Sequence, residues 1–208
     1  CMLKLYEWDG VKILLDEAVA VQNPVVGNGL NYETHVRAEM LRIVPQCTVM
    51  YDLGSNVGIH TVSAKQINPA LRVFCFDAMA LNCQQLLKTI GLNNWTDVYV
   101  LPVALGDHDG MMGINGDPSN PTCGKHGQFF PHWVSTFRLD SFDFPMPQFV
   151  KMDVEGCELD VLQGASKMLA ARPRIISEYN LPLLQPKGIA EAYVDFLLAH
   201  DYVVTMLD

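Results

Sequence analysis

The sequence predicts an α/β fold in which helices cover both faces of a mostly parallel, doubly wound sheet. Short apolar runs alternate with segments of helical periodicity, which is typical of right-handed βαβ units. Four of the five predicted strand ends carry a carboxylate; the five ends are Asp52, Asp77, Ala104, Asp153 and Glu178. Ligands of such sheets bind at the carboxyl ends of the strands, where strand order reverses. We therefore expect a site among these residues.

Each element follows from the local pattern. Residues 3–21 alternate around an Asp9-Gly10 turn and predict an N-terminal hairpin, and residues 32–44 have the apolar spacing of a helix. Further strands are expected at 48–53, 72–78, 97–105, 148–156, 174–180 and 201–207. Helices are expected between them at 57–67, 80–92, 157–171 and 189–200.

The length of 208 residues suits one domain. We assign residues 1–45 to a hairpin and helix that belong to the same domain as the core, 46–208. Residues 106–134 are rich in Gly, Pro, Asn and His with little periodicity, so we expect an irregular insertion there. Loops of this length are usually functional or mobile. The insertion and the N-terminal 45 residues are expected to shape a substrate pocket.

Composition excludes several classes of protein. The net charge of −9 argues against a nucleic-acid-binding surface. No apolar run approaches the roughly 20 residues that span a bilayer. The six cysteines are irregularly spaced without a CxxC motif, so we expect them to be reduced, in a cytoplasmic protein. We thus expect no nucleic-acid partner and no membrane association; the sequence carries no signal for an oligomeric state.

The segment DLGSNVG, residues 52–58, indicates the ligand. Gly54 and Gly58 permit a tight turn, and the following helix offers free N–H groups and a positive dipole end. Asp52 stands where a dinucleotide-binding turn has its first glycine, and an acid there repels a pyrophosphate but attracts a cation. S-adenosylmethionine fits, with its ammonium on Asp52 and its ribose hydroxyls on Asp77. The alternative is a capping aspartate with packing glycines in another α/β fold.

These motifs resemble those of the FkbM-type methyltransferases, S-adenosylmethionine-dependent enzymes with a Rossmann-like class I fold. DLGSNVGIHT matches D-x-G-A-N-x-G-x-x-T, and FDAMALN matches F-E-P-x-P-x-N loosely, with Asp77 replacing glutamate. ALGDHDG is similar to the segment after the third strand. VKMDVEGCELDVLQGA matches the most distinctive block, K-x-D-v-E-G-x-E-x-x-v-L-x-G-a. The resemblance runs from about Glu33 to the C-terminus.

The resemblance implies the donor, the reaction and a set of site residues. The reaction would be O-methylation of a hydroxyl on a sugar or secondary metabolite, so the partner would be a small-molecule or glycan acceptor. The implied cofactor-binding residues are Asp52, Gly54, Ser55, Asn56, Gly58, Thr61, Asp77, Ala78, Asn82, Ala104 and Leu105.

Candidates for the catalytic base lie at the ends of the fourth and fifth predicted strands. Lys151 and Asp153 share one face of a strand, and Glu155 follows. We expect Asp153 to face the donor or the acceptor hydroxyl, with Glu155 or Glu178 as its partner. Clustered acids raise one another's pKa, which suits a base. Histidine alternatives are His35, His60 and His132.

A metal-assisted variant and other functions stay open at this point. Asp153, Glu178 and Asn180 are hard oxygen ligands placed as in catechol-type methyltransferases, which hold Mg²⁺ there. Other functions are an RNA ribose methyltransferase and a non-catalytic S-adenosylmethionine-binding domain. An NAD-dependent dehydrogenase is disfavoured by Asp52 in the turn.

Overall fold

A computed structural model describes residues 3–16, 22–115, 122–124 and 132–207. Its strands are β1 Lys4–Trp8, β2 Val11–Leu15, β3 Val49–Leu53, β4 Arg72–Phe76, β5 Val98–Leu101, β6 Ala104–Leu105, β7 Gly110–Asn115, β8 Thr122–Gly124, β9 His132–Phe137, β10 Phe149–Met152 and β11 Arg174–Ser177. Its α-helices are α1 Asn23–Asn28, α2 Thr34–Ile43, α3 Ile59–Ile67, α4 Ala80–Asn93, α5 Glu158–Gln163, α6 Ser166–Ala170, α7 Leu181–Leu184 and α8 Ala190–Ala199. Short 3₁₀ turns occupy Gly29–Asn31, Val44–Gln46 and Leu139–Ser141.

The central sheet has the order β11-β10-β3-β4-β5, and all its pairs are parallel. Strand order reverses between β3 and β10, because the chain proceeds from β3 through β4 to β5 and then returns on the other side of β3. The carboxyl ends of β3 and β10 therefore flank the crevice in which doubly wound folds bind ligands. This confirms the predicted fold class.

Helices cover both faces of the central sheet because its strands carry apolar side chains on both faces. On one face Tyr51 and Leu53 pack with residues of α5, α6 and α8. On the other face Met50 packs with Met40 of α2 and Leu86 of α4. Strands buried on both faces read as continuous apolar runs, which is the pattern seen in β3, β4 and β10.

The N-terminal hairpin β1–β2 forms as predicted around Asp9-Gly10. Val11, Ile13 and Leu15 are buried against α3, while the backbone edge of β2 faces α4. A stripe of polar α4 side chains, four residues apart, bonds that edge. Asn93 accepts from Lys12 N (2.8 Å), Thr89 accepts from Leu14 N (3.2 Å), and Gln85 donates to Leu14 O (2.6 Å). The helix thereby satisfies the unpaired edge that a two-stranded ribbon would otherwise expose.

The predicted irregular insertion at 106–134 is wrong for the residues that the structure describes. β7, β8 and β9 form a small sheet with β6, in the order β6-β9-β7-β8. Met112 and Ile114 lie on the inner side of β7, a short period-2 pattern that the surrounding glycines and polar residues obscure. Residues 116–121 and 125–131 of this insertion lie outside the described part.

Two predicted elements are each divided in two. The third predicted strand is interrupted at Pro102, which has no N–H to donate, and Ala104 and Leu105 join the small sheet instead. The helix predicted at 157–171 is interrupted at Gly164. A β-carbon there would lie 2.1 Å from Gly106 O, so the chain passes too close to the small sheet for a larger residue.

The strand expected at 201–207 does not form. Residues 202–207 have no regular structure, and Val203 is 90% exposed. β11 is therefore the edge strand of the central sheet among the described residues. No helix in the described part of the chain is long and apolar enough to cross a bilayer.

The expectation that all six cysteines are reduced is wrong for Cys157, which is disulfide-bonded. The other half of this bond lies outside the described side chains. Cys47, Cys75 and Cys83 are free and buried, as expected for small apolar residues. Disulfides are rare in cytosolic proteins, so the cysteines no longer support the predicted cytoplasmic location.

Candidate active site

A cleft of about 740 Å³, counted to its open mouth, lies at the carboxyl ends of β3, β4 and β10. Its wall combines acids, amides and apolar side chains from the central sheet with two residues of β7. The lining residues are Gly54, Asn56, Phe76, Asp77, Ala78, Asn82, Val103, Ala104, Leu105, Met112, Ile114, Asp153, Val154, Glu155 and Cys157.

The turn after β3 is held tightly between the two neighbouring strand ends. Gly54 N and Ser55 N donate to Phe76 O at 2.8 and 2.9 Å. Gly54 has φ +79°, and a β-carbon there would lie 1.7 Å from Asp153 O. Only glycine fits this close approach, because it tolerates positive φ and has no side chain. The turn after β3 and the Asp153 backbone are therefore in direct contact.

Asp77 organises the far side of the cleft. One of its oxygens accepts from Asn56 N (2.8 Å), and the other accepts from Met79 N (2.8 Å) and Asn82 Nδ2 (3.3 Å). Burial raises its pKa to about 6 despite these hydrogen bonds. The carboxylate thus ties the turn after β3 to the start of α4 and still forms part of the cleft wall.

Asp52 lies behind the turn and does not line the cleft. It is 1% exposed and accepts a 2.6 Å hydrogen bond from Thr61 Oγ1. Burial raises its pKa, and its Oδ1 has no hydrogen-bond partner among the described residues. Gly58 packs against α4, since a β-carbon there would lie 2.3 Å from Leu86 Cδ1. Ser55 is also buried in the turn.

The structure therefore brings most predicted cofactor residues to one cleft and leaves four behind it. Those on the wall are Gly54, Asn56, Asp77, Ala78, Asn82, Ala104 and Leu105, and those behind it are Asp52, Ser55, Gly58 and Thr61. The sequence analysis missed Phe76, Val103, Met112 and Ile114. Phe76 directly precedes the strand-end acid, and Met112 and Ile114 share a period-2 spacing. These signals could have identified both walls.

The predicted catalytic residues are brought together at the ends of β10 and β11. Asp153, Glu155 and Glu178 each place one carboxylate oxygen within 4.8 Å of the others; we call these three residues the carboxylate cluster. Lys151 Nζ lies 3.4 Å from Asp153 Oδ2, and the Lys151 side chain is 3% exposed. The buried Lys151 ammonium therefore lies directly beside the Asp153 carboxylate.

Burial and neighbouring negative charge raise the pKa values of two residues of this cluster. Burial, followed by the charges of Asp153 and Glu155, raises the pKa of Glu178 to about 8. Burial and the charge of Asp153 raise the pKa of Glu155 to about 7. A hydrogen bond links Glu178 to Asp153, so at neutral pH the protonated Glu178 donates to the Asp153 carboxylate. Two carboxyl groups that share one proton are a known route to a poised acid or base.

The loop that carries the cluster is anchored from below by Glu158. This side chain is fully buried, and its Oε1 accepts from Val154 N (3.2 Å) and Gly156 N (3.1 Å). Glu155 itself has φ +53°, a left-handed conformation that costs energy for a residue other than glycine. Such strain concentrates at functional sites, where surrounding contacts enforce it. Glu158 therefore has a structural role at the start of α5.

A second groove runs beside β11 and meets the cleft at Asp153, which lines both. We call it the β11 groove; its near end is lined by Glu33, His35, Lys151, Asp153, Glu178 and Tyr179. His60 Nε2 lies 3.3 Å from Glu33 Oε2, behind this wall. The Asn180 backbone carbonyl accepts from Leu183 N (3.0 Å) and Leu184 N (2.9 Å), which begins α7. The separations of up to 4.8 Å join the carboxylates of Asp153, Glu155 and Glu178. The Asn180 side chain stays a predicted metal ligand.

The histidine alternatives separate in the structure. His35 lines the β11 groove and His60 pairs with Glu33, so both lie near the carboxylate cluster. His132 is exposed on β9, in the small sheet, and the neighbouring Trp133 is 53% exposed. Neither His132 nor Trp133 lines the cleft or the β11 groove.

Comparison with known proteins decides the family. The family model described as "Methyltransferase FkbM domain" matches residues 52–204, which include both strand-end motifs and the carboxylate cluster. The chain belongs to the FkbM methyltransferase family. S-adenosylmethionine is the methyl donor that this membership implies.

One relative of known sequence and two solved structures are similar to this chain. The chain is 28% identical over 170 residues to the hexuronic acid methyltransferase AglP of Haloferax volcanii. This alignment covers 78% of the chain and 68% of that protein. Its fold is similar to that of a methyltransferase FkbM from Methylobacillus flagellatus KT (TM-score 0.51, 18% identity, 70% of this chain and 37% of that one). It is also similar to a precorrin-6y C5,15-methyltransferase from Geobacter metallireducens GS-15 (TM-score 0.51, 17% identity, 86% and 76%). Both structural similarities concern the fold alone.

Proposed function

We propose that this FkbM-family methyltransferase transfers a methyl group from S-adenosylmethionine to a hydroxyl group of a sugar or a secondary metabolite. The observation that carries the proposal is the position of Asp153, which lines both the cleft and the β11 groove and has Lys151 and Glu178 as neighbours. A base must contact the acceptor oxygen while the methyl donor lies on the other side of that oxygen, and the place of Asp153 on the wall of both cavities supports this role.

The cleft has the chemistry that S-adenosylmethionine requires. Polar groups for the sugar and the amino-acid tail come from Asp77, Asn56 and Asn82. An apolar surface for the adenine ring comes from Phe76 and Leu105. When bound, the donor supplies a methyl group on a positively charged sulfur. Pairing of Asp52 with the donor ammonium remains a prediction, because the Asp52 side chain lies behind the turn; an Asp52→Asn variant with unchanged affinity for S-adenosylhomocysteine would refute it.

The chain contributes alignment and proton removal. Alignment of the reacting groups can account for up to about 7–11 kcal/mol of a barrier in ideal models. In our proposal Asp153 accepts the proton of the acceptor hydroxyl, while the Lys151 ammonium lies 3.4 Å from the same carboxylate. Glu178 donates a hydrogen bond to the same carboxylate and so fixes its orientation. A positioned base contributes about 10²–10⁴-fold to the rate.

Radiolabelled S-adenosylmethionine and a panel of sugars and hydroxylated metabolites test the reaction directly. With an acceptor identified, Asp153→Asn should lower kcat by roughly 10²–10⁴-fold. Its affinity for S-adenosylhomocysteine, measured by calorimetry, should stay within a few-fold of wild type. Turnover that survives this substitution would place the base elsewhere. Tight binding of the donor with no transfer to any acceptor would instead support a non-catalytic binding domain.

Magnesium is the alternative aid to deprotonation, and the carboxylate cluster offers oxygen ligands for it. We favour the metal-free base, because the Lys151 ammonium already lies 3.4 Å from Asp153 and would repel a second cation. Chelator treatment is therefore expected to leave turnover unchanged. Loss of turnover with EDTA and its recovery on addition of Mg²⁺ would assign the metal role to the cluster.

A further inference from the structure

The near end of the β11 groove is walled by acids from two separate parts of the chain. Asp153 and Glu178 project from the ends of the central strands, and Glu33 comes from the residue that precedes α2. The charges of Asp153 and Glu178 reach the neighbouring Tyr32 hydroxyl, and burial together with these charges raises its pKa to about 12. The two acidic walls are therefore close enough to act on one bound molecule.

Glu33 is built to hold a fixed negative charge. Its hydrogen bond with His60 is the main cause that lowers its pKa to about 2, so the side chain is ionised over the whole physiological range. The His60 side chain is 13% exposed and that of Glu33 is 29% exposed, so the carboxylate reaches the groove while its partner lies behind it. Glu33 also has φ +50°, a left-handed conformation disfavoured for glutamate. The fold thus maintains this residue in a strained position on the groove wall.

We propose that Glu33 binds the acceptor and determines its charge: the site selects an uncharged polyhydroxylated acceptor over the matching carboxylated or phosphorylated molecule. This inference rests on the proposed function. Hydroxyl groups can donate to carboxylates on both walls of the groove, which holds a sugar-like ring beside Asp153. A carboxylate or phosphate on the same ring would add a like charge to a site where neighbouring acids already suppress one another's ionisation.

The one ammonium at this end of the groove, among the described residues, does not reverse that preference. Lys151 is 3% exposed and lies 3.4 Å from Asp153. Its charge also acts on Glu33 and on the buried Asp52, its register partner on β3. Lys151 therefore faces three acids, and an anionic acceptor would have to compete with all of them. The other groups whose charge acts on Glu33 are the imidazoles of His60 and His35.

The arginines of the groove lie at its other end. Arg42 pairs with Glu39 at 2.8 Å, and Arg172 pairs with Asp201 at 2.6 Å. Arg174 lies four residues before the β11 end of the carboxylate cluster. At about 3.3 Å per residue this is roughly 13 Å along the strand. A single sugar ring with its hydroxyl at Asp153 does not extend that far, so these arginines cannot bind a carboxylate of the same ring.

Matched acceptors test the inference. Neutral glycosides and diols are compared with the corresponding uronates and phosphates, and kcat and KM are measured for each pair with wild type and Glu33→Gln. Wild type should prefer the neutral member by roughly tenfold or more in kcat/KM. Glu33→Gln should raise KM for the neutral acceptor about tenfold with little change in kcat. The ratio of kcat/KM between the neutral and the anionic acceptor should therefore become smaller. The matched control is Glu39→Gln, which removes a paired acid from the same groove and should change neither value.

The outcomes separate this inference from the proposed function. A preference of wild type for the uronate or phosphate overturns the inference and leaves the methyl transfer intact. Equal KM values for wild type and Glu33→Gln, in protein whose melting temperature and S-adenosylhomocysteine affinity are unchanged, also overturn it. A merely structural role of Glu33 would lower the melting temperature without altering the preference between the two acceptors. Failure to methylate any acceptor, with the donor bound normally, overturns the proposed function and this inference together.

Discussion

Replacing Glu178 with glutamine should stabilise the protein at alkaline pH and have almost no effect at acidic pH. Glutamine has nearly the shape of the protonated side chain and can still donate a hydrogen bond to Asp153. Below about pH 4.5 Glu178 is protonated in both the folded and the unfolded chain, so the substitution changes little there. At pH 9 the native residue must ionise beside Asp153 and Glu155, and glutamine removes that repulsion.

The magnitude follows from the pKa of Glu178. The unfolded chain ionises this group near pH 4.5 and the folded chain near pH 8. Between those values the folded state holds the extra proton, so stability falls as pH rises and the loss is complete above the folded pKa. At about 1.36 kcal/mol per pH unit, the full interval would correspond to roughly 5 kcal/mol. Solvent screening at this partly exposed site reduces the effect, and we expect about 1–2 kcal/mol.

Urea unfolding of wild type and Glu178→Gln at pH 5.5, 7 and 9 measures this difference. The gain in free energy of unfolding should grow with pH across the series. Glu7→Gln on β1 is the control, because Glu7 is exposed and far from the carboxylate cluster. A gain that is the same at all three pH values, or a loss at pH 9, would refute the assignment of Glu178 as a group that the fold keeps protonated.

Three further predictions concern the parts of the fold that support the site. Lys65→Met should lower the free energy of unfolding by about 2–3 kcal/mol, because the Lys65 side chain is fully buried and pairs with Asp97 at 2.7 Å; a loss below the error of urea unfolding would contradict this. Gly54→Ala should cost roughly 3 kcal/mol or more and abolish binding of S-adenosylhomocysteine, because the added β-carbon meets Asp153 O; calorimetry on folded variant protein that still binds the product would contradict it. Peptide mapping without reductant should recover Cys157 in a disulfide-linked peptide, whereas a fully alkylated Cys157 would show that the bond is absent.

The central sheet could be predicted because its signals are local and repeated. β3, β4 and β10 are apolar runs that end in or just before an acid, and each is followed by a segment with helical periodicity. Parallel order then brings the tips of consecutive strands to one edge without further information. The approach of Asp153 to Glu178 follows from this geometry, since their strands are neighbours in register.

The parts that sequence reasoning missed depend on contacts between distant segments. The small sheet of β6 to β9 pairs short strands whose glycines and polar residues suggest a loop. Glu33 carries no motif, and its place on the groove wall arises because α2 packs over the central sheet near the strand ends. Asp52 was predicted to contact the ligand directly because of its position in the motif. The sequence does not give the direction of its side chain. In the structure that side chain accepts a hydrogen bond from Thr61, and its contact with the donor stays a prediction.

The contact between Gly54 and Asp153 links the two halves of the proposed reaction. The backbone oxygen of Asp153 packs against the turn that forms the cleft floor, and its side chain faces the β11 groove. A displacement of that turn must therefore move the proposed base, because no space separates the two chains. Lys151 is the register partner of Asp52 on β3, and its Nζ lies 3.4 Å from Asp153 Oδ2. Lys151 thereby resists movement of Asp153 relative to β3. The fold consequently joins the turn after β3 and the proposed base in one rigid unit.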